Sequence, residues 1–147
     1  FCSSTLNSIR LQTVMCENGE IIPFGAGLRI GREGSCVDNW AKGGVFVGID
    51  METGKLRKKG FLKPMFGTSC TEHPDTNIKF ENFEIPFFKE ALTLSLKLHK
   101  IMYRCHSVGW DIAITKDGPV FIEGNGLWEI SLVQAANGGM KDIEQYF

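Results

Sequence analysis

The sequence predicts an α+β fold, an antiparallel sheet backed by at least one long helix. Two observations carry this. Runs rich in strand formers meet turn-forming residues three times, at Asn18-Gly19, at Met51-Glu52-Thr53-Gly54 and at Lys116-Asp117-Gly118. Only one stretch, residues 86–105, repeats its apolar residues at helical spacing.

The 147 residues amount to one domain or a piece of a larger one. A hydrophobic content of 43% with 22% charged residues suits a globular chain with a buried core. The net charge of −1 argues against nucleic-acid binding by bulk electrostatics. No apolar run approaches the ~20 residues of a membrane span, and no signal peptide is visible. The chain opens on Phe1 rather than Met, so sequence ahead of it is expected. Cys2, Cys16, Cys36, Cys70 and Cys105 are dispersed singly, which fits a reducing cytoplasm better than a disulfide framework or a zinc site.

In chain order, Ser8–Met15 alternates loosely and reads as a strand. Residues 21–24 return from the Asn18-Gly19 turn, and 26–31 read as another strand. Arg10 and Arg29 therefore lie inside strands. Either they are solvated, or both point into a cleft and grip phosphate or carboxylate through guanidinium forks. The glycine-rich segment 31–44 is either a flexible connection or a backbone that must approach a ligand closely. It is not a Walker A loop. Val45–Ile49 and residues 55–62 form a hairpin whose second arm, basic through Lys55, Arg57, Lys58 and Lys59, is either a solvated edge strand or a patch facing phosphate or polysaccharide.

Residues 67–77 lack periodicity and contain His73-Pro74-Asp75-Thr76. His73 is either a loop residue with a local hydrogen bond or an acid–base group. The helix over 86–105 has proline at its first position. Phe88, Ala91, Leu92, Ser95, Leu98 and Met102 form its apolar face, with Lys89, Thr93, Lys97, Lys100 and Arg104 opposite. A further short helix is expected from Lys141. Gln134 and Gly138-Gly139 receive no role.

The last hairpin carries the chemistry. A three-residue loop at Lys116-Asp117-Gly118 pairs Thr115 with Pro119 and, counting outward, Asp111 with Glu123. Trp110, Ile112, Ile114, Val120 and Ile122 then share one face, and Asp111, Glu123 and Asn125 the other. Two carboxylates and an amide oxygen are hard ligands that suit Mg²⁺. A two-residue loop would put Asp111 and Glu123 on opposite faces. The bland alternative is the ordinary solvent side of an amphipathic hairpin.

The order Gly-Trp-Asp-Ile-Ala-Ile-Thr, a DG turn and Pro-Val-Phe-Ile-Glu-Gly-Asn resembles the C-terminal metal-binding hairpin of ATP-grasp ligases. Val-Gly-Trp-Asp, Arg-Ile-Gly and His-Pro-Asp-Thr resemble the sugar-transfer-associated branch, related to α-L-glutamate ligases. The resemblance spans residues 3–139 and implies the C-terminal subdomain of that fold, with the nucleotide-binding half supplied by sequence before Phe1. It assigns Asp111, Glu123 and Asn125 to two Mg²⁺ ions against the phosphates of ATP, with Glu123 bridging. Arg10 and Arg29 are assigned to the transferring phosphoryl group, and Asn39 with Arg29 to the phosphate and acyl-phosphate intermediate.

For the complete protein it implies a cytoplasmic, ATP- and Mg-dependent carboxylate–amine ligase acting through an acyl phosphate, in sugar or polysaccharide modification. Its partners would be ATP and a small-molecule or sugar-linked carboxylate or amine. Residues 1–147 alone are expected to be inactive. The competing expectation is a non-catalytic ATP-grasp-like or carbohydrate-binding module.

Overall fold

The computed structural model describes residues 1, 5–34, 43–63 and 69–139. Among them seven strands form one antiparallel sheet and two helices pack on it, a mixed α+β architecture. The strands are β1 Ser8–Met15, β2 Ile21–Ile30, β3 Val45–Ile49, β4 Leu56–Phe61, β5 Ser69–Cys70, β6 Ser107–Thr115 and β7 Gly118–Asn125. The helices are α1 Phe88–Ile101 and α2 Ile130–Asn137. The sheet order is β5-β4-β3-β2-β1-β6-β7. β1 lies inside the sheet, so its neighbours β2 and β6 bring residues some hundred positions apart side by side.

Several elements differ from the sequence expectation, each for a local reason. Residues 21–24 and 26–31 are one strand, because a bulge opposite Gln12 and Thr13 takes up Phe24 as an extra residue without ending the ladder. β4 is not the sheet edge. β5 adds beyond it, pairing Gly60 with Cys70 and Phe61 with Ser69. Arg57, Lys58 and Lys59 are exposed all the same. The main helix starts two residues after Pro86, because Phe87 takes a left-handed conformation (φ 55°) as its N-cap, and it ends at Ile101 rather than 105. Residues 130–137 form α2, which the sequence reading missed. The helix expected from Lys141 lies outside the described residues.

The two-residue periodicity of strands divides the sheet into two chemically distinct faces. Ile9, Leu11, Ala26, Leu28, Ile30, Val45, Val47, Val108, Trp110 and Ile112 belong to the main core, which α1 covers through Phe88 and Ala91. A buried polar chain pins helix to sheet. Trp110 Nε1 donates to Thr13 Oγ1 at 2.7 Å, and the Thr13 hydroxyl donates to His99 Nδ1, also at 2.7 Å, because the Cys105 carbonyl takes the proton of the other ring nitrogen. His99 Nε2 then donates to the Cys105 carbonyl at 2.8 Å.

On the opposite face β1 places Ser8, Arg10, Gln12 and Val14. Around them the neighbouring strands carry Gly25, Gly27, Gly48 and Gly109. These absences of side chain make room. A Cβ on Gly27 would stand 2.2 Å from a ring atom of Phe46, and one on Gly48 2.8 Å from the carbonyl of Ala136 in α2. The second face is thus a polar floor bordered by glycine, partly roofed by α2.

Candidate functional site

The hairpin that carries Asp111 and Glu123 does not have the expected loop. Thr115 pairs with Gly118, so only Lys116 and Asp117 lie between the strands, and Ile114, Ala113 and Ile112 pair with Pro119, Val120 and Phe121. Gly118 takes φ 121°, a left-handed-side conformation that suits glycine. A strict two-residue register would have set Glu123 opposite Trp110. A bulge between Ile112 and Asp111 absorbs Ile122 as an extra residue, and Asp111 again pairs with Glu123. The loop expectation was wrong and the pairing it was meant to produce is present. The apolar face changes accordingly. Phe121, not Ile122, packs edge-on against Trp110 at 6.0 Å, and Val120 stands opposite Ala113 on the Asp111 side.

Across the sheet, Gly27, Arg10, Asp111 and Glu123 form one cross-strand row. Arg10 meets Asp111 through Nε to Oδ1 at 2.6 Å and Nη2 to Oδ2 at 3.0 Å. Arg29, from β2, donates Nη1 to Asp111 Oδ2 at 2.8 Å. Asp111 is only 4% exposed. Burial pushes its carboxyl above the ordinary carboxylate value, against the pull of the Arg10 and Arg29 guanidiniums. Two guanidiniums within 3.0 Å of this carboxyl favour its charged form.

Glu123 is exposed and stands opposite Asp111 in the cross-strand pairing. Its carboxyl is held below its ordinary value first by the Asn125 amide, which donates to Oε1 at 3.0 Å. Asp111, Glu123, Arg10 and Arg29 therefore converge on one face, with Asn125 in the adjacent row.

The donor set fits a hard cation: two carboxylates paired across the strands and an amide whose nitrogen donates to Glu123. Among the described residues no three His, Cys, Asp or Glu side chains cluster to hold a metal. Asn39 lies outside the described residues.

His73 makes the local hydrogen bonds of a loop residue. It is fully buried, Nε2 donates to the Gly31 carbonyl at 2.9 Å, and Nδ1 accepts from Thr76 Oγ1 at 3.1 Å. Both ring nitrogens are engaged. Two residues on, Asp75 takes a fork of hydrogen bonds from Arg32 Nε and Nη2, each 2.8 Å, and another from the Glu33 amide at 2.8 Å. The loop thus clamps the start of the glycine-rich segment.

The Arg32 guanidinium holds the Asp75 carboxyl down at about 2, against an ordinary 3.8. A folded value below the unfolded one contributes stability above pH ~4 that is lost as pH falls toward 2. Asp75→Asn is expected to cost ~1 kcal/mol at neutral pH, the figure being discounted for partial exposure. Urea titrations of both proteins should converge as pH approaches 2; a gap that widens on acidification would contradict this.

Sequence reasoning missed Gln12, a fully buried amide one row from Arg10, and Trp128, which lies over Gly109. A polar residue at an inward position of a predicted strand was the available signal for the first. Among the described residues no helix is long and apolar enough to cross a membrane.

Comparison with known proteins agrees with the hairpin. No curated protein and no solved structure gives a match. A family model described as sugar-transfer associated ATP-grasp matches residues 1–142, nearly the whole chain. Members of that superfamily have ligase-like roles and generally use ATP and Mg²⁺. With Asp111 and Glu123 paired across its last hairpin, the chain belongs to the sugar-transfer associated ATP-grasp family.

Proposed function

We propose that the protein is an ATP- and Mg-dependent ligase that activates a carboxylate as an acyl phosphate for attack by an amine or related nucleophile. Its setting would be cytoplasmic sugar or polysaccharide modification. The observation that carries this reading is the pairing of Asp111 with Glu123, with Arg10 and Arg29 on the same carboxylate.

Asp111, Glu123 and the Asn125 oxygen would hold Mg²⁺, which when bound offsets the charge on phosphate oxygens. Arg10 and Arg29 favour the charged form of Asp111 and fix its position. Each guanidinium has five N–H donors, more in total than one carboxylate can accept, so the same groups can also meet a phosphoryl oxygen. Asn39 is assigned to the same phosphate and acyl-phosphate group. Residues 1–147 would form one domain, the C-terminal subdomain of the fold. The groups that hold adenine would lie outside it. Alone, these residues should bind ATP poorly, because wet charged contacts contribute ~1 kcal/mol or less each while association costs an estimated 4–15 kcal/mol.

Hydroxylamine tests the reaction class, since it intercepts an acyl phosphate as a hydroxamate. The complete protein with Mg²⁺, ATP and a panel of sugar-linked carboxylates should yield hydroxamate and ADP. Arg29→Lys should lower the yield at least tenfold without changing the melting temperature by more than a few degrees, because an ammonium cannot reproduce the guanidinium fork. ADP formation with no hydroxamate from any carboxylate would contradict the acyl-phosphate route. No nucleotide binding at all would favour a non-catalytic module.

A further inference from the structure

Gln12 is fully buried, yet neither Nε2 nor Oε1 has a hydrogen-bond partner among the described residues. Buried amides are nearly always satisfied, so one left bare at both ends asks what completes it. Its cross-strand row is Gly25, Gln12, Gly109 and Asn125, the row next to Arg10, Asp111 and Glu123. The first row is charged and suited to metal and phosphate. The second carries no charge, and over its two glycines stand Val133 and Asn137 of α2 and Trp128.

The Oε1 atom lies 3.2 Å from where a Cβ on Gly25 would stand, with Val133 of α2 above the same point. Trp128 covers Gly109, its Cβ 2.7 Å from the corresponding position. Its indole is half-buried, tied by Nε1 to Ser107 Oγ at 3.1 Å.

We propose that Gln12 and Trp128 form a sugar subsite beside the carboxylates, and that residues 127–137 close over it. This deepens the ligase reading above and rests on it. A primary amide offers one acceptor and a pair of donors, the complement of two neighbouring hydroxyls. An indole face accepts the apolar C–H side of a pyranose. The ligand is a sugar carboxylate, its acid toward Arg10 and the metal ligands and its hydroxyls toward Gln12. The covering segment has the build of a strap. Gly126 precedes it, Gly138 (φ 90°) and Gly139 follow it, and Leu127 at its start is fully exposed. Closed without ligand, it buries an unpaired amide; closed on hydroxyls, it does not, so the sugar favours closure.

Hydrogen exchange at the α2 amides tests this in the complete protein, with D-glucuronate as probe and succinate as its hydroxyl-free control. Glucuronate should slow α2 exchange severalfold and succinate should not. Gln12→Leu should abolish that response, while slowing α2 exchange in the absence of ligand, because closure no longer strands an amide. A Gln12→Leu protein with a lower melting temperature and faster α2 exchange would overturn the proposal, making Gln12 a structural residue. So would a glucuronate response that persists in the variant, or no response in the wild type. Mg–ADP titrated in parallel reports on the charged row alone. Loss of its signal with the glucuronate response intact contradicts the ligase reading; the reverse contradicts only the subsite.

Discussion

Asp111→Ala is expected to destabilise the domain by about 3–5 kcal/mol as well as to remove metal binding. Arg10 and Arg29 both direct their guanidiniums at this carboxylate, and their side chains are only 12% and 15% exposed. Taking Asp111 away removes the anion that these two largely buried positive charges share. That outcome costs more than the pair itself contributes, since desolvation is no longer repaid. For a chain of this length the loss corresponds to a fall of roughly 6–20 °C in melting temperature. Glu123→Gln is the comparison, because Glu123 is exposed and no guanidinium depends on it for its partner. Circular dichroism melts of the two variants should separate widely. Equal melting temperatures would mean that the arginines find other partners when Asp111 is gone.

Thr13→Val should cost about 2–4 kcal/mol, although the two side chains have nearly the same shape. The Thr13 hydroxyl accepts from Trp110 Nε1 and donates to His99 Nδ1, and all three residues are fully buried. Valine strands a donor on Trp110 and an acceptor on His99, and each unsatisfied buried group costs about 1–3 kcal/mol. Thr13→Ser keeps the hydroxyl and should recover most of the polar loss. Urea unfolding followed by tryptophan fluorescence measures both, with the slope expected to stay constant so that the midpoint shift is read as stability. A loss below ~1 kcal/mol for valine would show that water or a rotated His99 takes over the partnership.

What the sequence made legible was whatever depends on local pattern. β1 has the bounds its alternation suggested, and α1 turns the expected side chains inward because helical spacing leaves them no other face. The last hairpin is more instructive. Turn chemistry placed the reversal at Lys116-Asp117-Gly118, yet the loop is one residue shorter than counted. The bulge at Ile122 restores the pairing of Asp111 with Glu123. No residue pattern announces that bulge, since an apolar Ile122 fits a straight strand equally well.

Other features depend on contacts distant in sequence. His99, on neither face of the helix as read from spacing, is buried because Thr13, 86 positions away, supplies its partner. His73 is buried because Gly31 offers it a carbonyl. β5 is two residues long and exists only because β4 presents it with an edge. Arg10 and Arg29 were recognisable as arginines inside strands, but their convergence on one carboxylate follows from sheet order, which places β1 between β2 and β6.

The central claim is that Asp111 and Glu123 form a metal site for a nucleotide. Calorimetry of the complete protein with ATP, in the presence and absence of Mg²⁺, tests it most directly when wild type is set beside Glu123→Gln. The account predicts ATP binding that requires Mg²⁺ in the wild type. It predicts loss of that Mg²⁺-dependent component in the variant, with circular dichroism unchanged. Wild-type binding that is equally tight without Mg²⁺, or a Glu123→Gln protein that retains the Mg²⁺ dependence, would contradict it.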